Sequence, residues 1–75
     1  MAYKMTNNDK AAFWLAWANI AKKEGGEQYA RCLGNARYHA ALNEGKPDAE
    51  ARDLGFGIYN RAGGSLTEAP ARKEV

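Results

Sequence analysis

The chain is poor in the residues that build disulfides, zinc sites and strands. It has one cysteine and one histidine, Cys32 and His39, which excludes an internal disulfide and supplies only two of the four ligands of a typical zinc site. Ile and Val together number three and Thr two, which disfavours strands. One free thiol is typical of a reducing compartment, so we expect a cytoplasmic protein. The small number of possible ligands leads us to expect no metal, and we expect no other cofactor.

Long apolar runs and an excess of one charge are also missing. The apolar run over residues 11–21 is well short of the roughly 20 residues that a membrane span requires, so we expect no membrane interaction. Eleven Lys and Arg against nine Asp and Glu give a net charge of +2, and the two signs alternate along the chain. A balance this mild does not by itself indicate a nucleic-acid partner.

The remaining pattern predicts an all-α fold, a small three-helix single domain. Helices are expected at about residues 7–24, 27–44 and 48–62, within a domain of residues 1–64 that has a short flexible N-terminus and a flexible C-terminal tail at 65–75. Thr6 and Asp9 resemble a capping box before the first helix. Gly25 and Gly26 end that helix, and Asp48 is expected to cap the third.

Glycines within the predicted helices need a separate explanation. Gly55 and Gly57 each cost about 1 kcal/mol relative to Ala in a helix, and they could instead mark a break followed by an extended segment. The spacing of the flanking apolar residues favours a helix. Gly34, Gly55 and Gly57 are then predicted to be positions where another backbone or a tryptophan ring lies close.

The stretch "AAFWLAWANIAKK" concentrates aromatic surface in the first helix. At 100° per residue, Phe13 and Trp17 share one side with Ala16 and Ile20. This side is predicted to be the core stripe of a central helix that packs against both others.

Trp14 lies about 100° round from that stripe, with Leu15 further still. Trp14 is therefore either half-buried at the edge of the core or part of an interface. In the second case Trp14 and Leu15 would contact a partner, together with Tyr3 and Phe56, because Trp and Tyr are enriched among binding hot spots.

No residue pattern predicts catalysis or cofactor binding. Seven residues of helix separate the backbones of Cys32 and His39 by roughly 10 Å, too far for a thiol and its activating base. The acidic residues at the start of the third helix are typical of dipole compensation. No glycine spacing matches a dinucleotide-binding fingerprint or a P-loop.

The sequence therefore favours a small non-enzymatic protein-binding regulator or inhibitor, of the kind that phages and other mobile elements also encode. Trp14 and Leu15 are the leading contact residues, Arg31, Arg37 and Tyr38 form a second, polar patch, and a homodimer would cover exposed apolar surface. The alternative is a nucleic-acid-binding module that uses the Arg/Tyr face of the second helix. Acidic residues flanking that face disfavour it.

Overall fold

The chain folds as an all-α, three-helix protein. A computed structural model describes residues 4–65, and they form α1 (Asn7–Ala21), α2 (Gly26–Asn43) and α3 (Asp48–Arg61). No strand occurs within this range. The predicted three-helix class is confirmed, and each helix lies close to its predicted position. Tyr3 and residues 66–75 of the predicted tail lie outside the described residues.

Local signals account for most of the helix ends. Thr6 and Asp9 form the predicted capping box, since each backbone N–H donates to the other side chain at 3.1 Å. α1 ends three residues earlier than expected, and the chain reverses through Gly25 and Gly26 at φ 64° and 73°, a conformation that favours glycine.

The cap predicted for α3 is wrong. Pro47 occupies the N-cap position and makes no side-chain capping hydrogen bond, and Asp48 is the first residue of the helix. Its carboxylate instead accepts a hydrogen bond from the Tyr38 hydroxyl. A tertiary partner on α2 therefore takes the carboxylate that the sequence assigned to a local cap.

The central helix is α2, and the prediction that the first helix is central is wrong. Within residues 4–65, α1 and α3 each pack against α2 and make no contact with each other. Small buried residues recur along α2, and this helix can therefore take a close neighbour on two sides. They are Ala30, Cys32, Gly34, Ala36 and Ala41.

The helices α2 and α3 meet through two glycines. A Cβ atom added to Gly34 would lie 3.0 Å from the Gly55 carbonyl oxygen, and one added to Gly55 would lie 2.8 Å from the Gly34 carbonyl oxygen. The predicted close backbone approach is confirmed at both positions. It is wrong for Gly57, where an added Cβ would meet nothing within 4 Å.

Small side chains make up the core. Seven of the nine buried apolar residues in the described range are alanines, and the other two are Cys32 and Tyr59. Because the free energy of burial scales with apolar area, such a core contributes little stabilisation per residue. Apart from Tyr59, the larger apolar side chains in the described range lie at the margins of the core or outside it.

Polar contacts hold the end of α3 against the start of α2. The Glu27 carboxylate accepts hydrogen bonds from the Ser65 hydroxyl at 2.6 Å and the Ser65 backbone N–H at 2.9 Å. The Tyr59 hydroxyl and Arg31 Nε also donate to it. Together these donors lower the pKa of Glu27 from an ordinary 4.5 to about 2, with the Ser65 hydroxyl making the largest contribution.

Replacing Gly55 by Ala is expected to lower the free energy of unfolding by about 1 to 3 kcal/mol, because the new methyl group would collide with backbone at the α2–α3 crossing. The matched substitution Gly57→Ala meets no atom and is expected to raise that free energy by about 1 kcal/mol through helix propensity. Urea unfolding followed by circular dichroism measures both. Equal effects of the two substitutions on the free energy of unfolding would contradict the close backbone contact of α2 and α3 at Gly55.

Glu27 is expected to make stability depend on acid pH. Above about pH 4.5 the carboxylate is charged in both the folded and the unfolded chain. As the pH falls from 4.5 toward 2, the unfolded chain binds a proton that the folded chain does not, so the free energy of unfolding falls. Glu27→Gln should flatten this part of the profile, whereas Asp53→Asn, at an exposed position in the middle of α3, should leave it unchanged. If Glu27→Gln left the dependence of the free energy of unfolding on pH unchanged, Glu27 would not be its source.

Candidate binding surface on the first helix

The aromatic side of α1 faces away from the rest of the protein. Phe13 is 45 % exposed, Trp17 44 % and Ile20 66 %, and Ala16 between them is also exposed. We call these four residues the outer face of α1. The prediction that they form the core stripe is wrong, since the buried residues of this helix are alanines at positions 11, 18 and 21.

The distance between packed helices explains why the alanine side of α1 is buried and its aromatic side is exposed. α1 carries only two charged residues, Asp9 and Lys10, and apolar side chains occur on nearly all its sides, so apolar periodicity alone does not select the buried side. The distance between packed helices depends on the side chains at the contact. The alanine side allows α1 to lie close to the small residues of α2, whereas Phe13 and Trp17 would hold the two helices apart.

The aromatic rings of α1 contact one another in edge-to-face geometry. The ring centroids of Phe13 and Trp14 lie 5.4 Å apart with an interplanar angle of 80°, and those of Phe13 and Trp17 lie 6.4 Å apart at 70°. This is the arrangement that aromatic quadrupoles favour. Rings that already pack on one another lose little conformational freedom when a partner covers them.

The two leading contact residues predicted from sequence occupy different environments. Trp14 is half-buried on the same side of α1 as the buried alanines, and Leu15 is 51 % exposed. A turn of about 200° separates Leu15 from Phe13, so Leu15 lies on a different side of α1 from the aromatic cluster. Phe56, the third described member of that prediction, is half-buried and stacks on Tyr59 with ring centroids 5.5 Å apart.

The sequence did contain a signal for the outer face. The alanines at positions 11, 18 and 21 recur at spacings of seven and three, which places three small side chains on one side of the helix, where Trp14 is the one large residue. A stripe of small residues beside a stripe of large ones indicates close helix packing on the small side. Phe13, Trp17 and Ile20 were then the residues left for solvent or for a partner.

Each residue of the predicted polar patch on α2 has an acidic neighbour. Arg31 Nε lies 3.0 Å from a Glu27 carboxylate oxygen, and Arg37 Nη1 lies 3.3 Å from one of Glu44. The Tyr38 hydroxyl donates to Asp48 across the α2–α3 packing. These contacts partly neutralise the two guanidinium groups and use the tyrosine hydroxyl within the fold.

The sulfur and imidazole groups of α2 do not form a reactive pair. Cys32 is 1 % exposed, and burial raises the pKa of its thiol, which disfavours the thiolate. His39 Nδ1 lies 3.2 Å from Asn7 Oδ1, and burial together with the nearby Lys10 cation lowers the pKa of His39. Among residues 4–65, no three His, Cys, Asp or Glu side chains gather as metal ligands.

Comparison with known proteins adds no functional assignment. The chain matches no protein-family model, no curated protein and no solved structure. Each helix in the described part of the chain is too short or too polar to cross a bilayer. The outer face of α1 is therefore assigned on its geometry alone.

A pair of identical substitutions checks which side of α1 is buried. Ala18 is 2 % exposed, and Ala18→Leu is expected to lower the free energy of unfolding by about 1 to 3 kcal/mol through overpacking. Ala12 is exposed on the same helix, and Ala12→Leu is expected to change it by no more than about 0.5 kcal/mol. Thermal and urea unfolding measure both. The opposite order of the two effects would contradict the assignment of the alanine side of α1 as its buried side.

Proposed function

We propose that this chain is a non-enzymatic protein-binding module, a small regulator or inhibitor of the cytoplasm, that acts through the outer face of α1. The observation that carries the proposal is the exposure of Phe13, Trp17 and Ile20 together on one helix. Single exposed apolar residues are ordinary, whereas contiguous apolar patches mark interaction sites.

The placement of large and small side chains supports this function. Alanines fill the core while two aromatic rings and an isoleucine lie outside it, so the strongest sources of apolar burial in α1 are left for an intermolecular contact. Aromatic side chains also bring much contact area with few rotatable bonds, which is why Trp and Tyr dominate binding hot spots.

The contacts of α2 weigh against the nucleic-acid alternative. Phosphate binding needs cations free to approach the backbone of the nucleic acid. Arg31 and Arg37 instead lie beside Glu27 and Glu44, and Tyr38 is bound to Asp48. A nucleic acid would have to compete with these carboxylates and would meet their negative charge.

A photo-crosslinking side chain at position 16, in the centre of the outer face, is expected to form covalent adducts with protein in cells that express the full chain. The same group at position 53, exposed on α3, should form few. Trp17→Ser should lower partner affinity about 30-fold or more, since a hot-spot side chain contributes at least 2 kcal/mol, and adduct yield should fall accordingly.

Leu15→Ser provides the matched control, because Leu15 is as exposed as Phe13 and Trp17 but lies on another side of α1. It should leave the adducts at position 16 unchanged. Equal adduct yields at positions 16 and 53 would contradict the proposal. Binding that weakens steeply with added salt, and that Arg31→Ala and Arg37→Ala abolish, would replace it with the nucleic-acid alternative.

A further inference from the structure

We propose that the partner of the outer face is a second copy of this chain, with the two α1 helices packed antiparallel about a two-fold axis near Trp17. The inference rests on the proposed function, since it names the occupant of the same surface. It adds an orientation and a set of residue pairs that the exposure of the face does not by itself specify.

The charges at the two ends of the outer face carry the inference. Lys10 precedes this face and Glu24 follows it, and the positions 10, 13, 17, 20 and 24 keep the alternating three- and four-residue spacing of a coiled-coil seam. Both charged residues are exposed. Glu24 lies just beyond α1, where its backbone N–H still donates to the Ala21 carbonyl oxygen at 3.1 Å, so the chain continues the helical turn.

An antiparallel pair brings these opposite charges together. Fourteen residues separate positions 10 and 24, or about 21 Å along a helix, and a two-fold axis at position 17 lies midway between them. Lys10 of each copy then faces Glu24 of the other, twice in the dimer. A parallel pair would set Lys10 against Lys10 and Glu24 against Glu24, which is repulsive at both ends.

Opposite charges also pair between the two copies along the other edge of the outer face. Asp9, Ala16 and Lys23 are spaced by seven residues and lie along one edge of the outer face, whereas Lys10 and Glu24 lie along the opposite edge. The antiparallel arrangement sets Asp9 of one copy near Lys23 of the other. The residue order is acid then base at the start of α1 and base then acid after its end. This inversion makes the surface complementary to itself, as a two-fold interface requires.

The apolar residues between these charges also complement one another. Phe13 lies four residues before the axis and Ile20 three residues after it, so each ring lies close to the aliphatic side chain of the other copy. Ala16 leaves room beside Trp17 for the opposite indole. Alternating large and small side chains is the condition for close packing of facing helices.

Sedimentation equilibrium on the purified full chain, at concentrations up to about 0.1 mM, tests this pairing by charge reversal. The unmodified chain is expected to be a dimer. Lys10→Glu and Glu24→Lys should each weaken dimerisation roughly tenfold, because each turns two attractive pairs into two repulsive ones. Lys22→Glu makes the same charge change on the far side of α1 and should have little effect.

Mixing the two single variants is the decisive measurement. A chain with Lys10→Glu carries Glu at both positions, and one with Glu24→Lys carries Lys at both, so an antiparallel mixed dimer regains both attractive pairs. The mixture, and the double variant alone, should dimerise about as tightly as the unmodified chain. Failure of both to recover would overturn the antiparallel assignment. A mixture that dimerises more tightly than the unmodified chain would also overturn it, because a parallel mixed pair replaces two repulsive contacts of the unmodified parallel pair by two attractive ones.

The same experiments separate this inference from the proposed function. If the purified chain is a monomer while a probe at position 16 still forms adducts with another protein, the second-copy inference is overturned and the proposed function stands. If the chain dimerises and neither Trp17→Ser nor the charge reversals weaken the dimer, the outer face is not the dimer interface and the second-copy inference is overturned, while the adduct yields at positions 16 and 53 decide the proposed function. Circular dichroism on every variant establishes that α1 to α3 remain folded.

Discussion

The close approach of helices through small residues is the constraint on which this structure depends. Gly34 and Gly55 bring the backbones of α2 and α3 into direct contact, and buried alanines occur on all three helices. Close packing of this kind gains dispersion contacts over short distances but removes little apolar area from water. The small buried residues of α2 lie on two sides of that helix, which allows it to accept a close neighbour on each.

The position of the large side chains follows from this constraint. A helix that packs through Ala11, Ala18 and Ala21 must turn Phe13, Trp17 and Ile20 outward, since the two sets lie on different sides of the same helix. In a chain of 75 residues the folded surface is large relative to the core, and marginal stability is expected. Association through the outer face would bury the apolar area that the intramolecular packing leaves exposed.

Polar contacts then complete a fold that apolar burial alone supports weakly. Glu27 joins the start of α2 to Tyr59 and Ser65 at the far end of α3, and Tyr38 joins α2 to Asp48 at the other end. These contacts hold α3 at both ends of the glycine crossing. One of them also engages the Tyr38 hydroxyl, a group of the predicted polar patch on α2.

The sequence by itself determined the helices, their approximate ends and the capping box at Thr6 and Asp9, because these depend on interactions within a few residues. It also identified Gly34 and Gly55 as contact points, since glycine within a helix requires a reason. Only the tertiary structure decided that α2 is central, that the outer face of α1 is exposed and that Asp48 binds Tyr38 instead of capping α3. The physical reason is that α1 is apolar on nearly every side, and the choice of its buried side depends on how closely it can approach the small residues of a helix elsewhere in the chain.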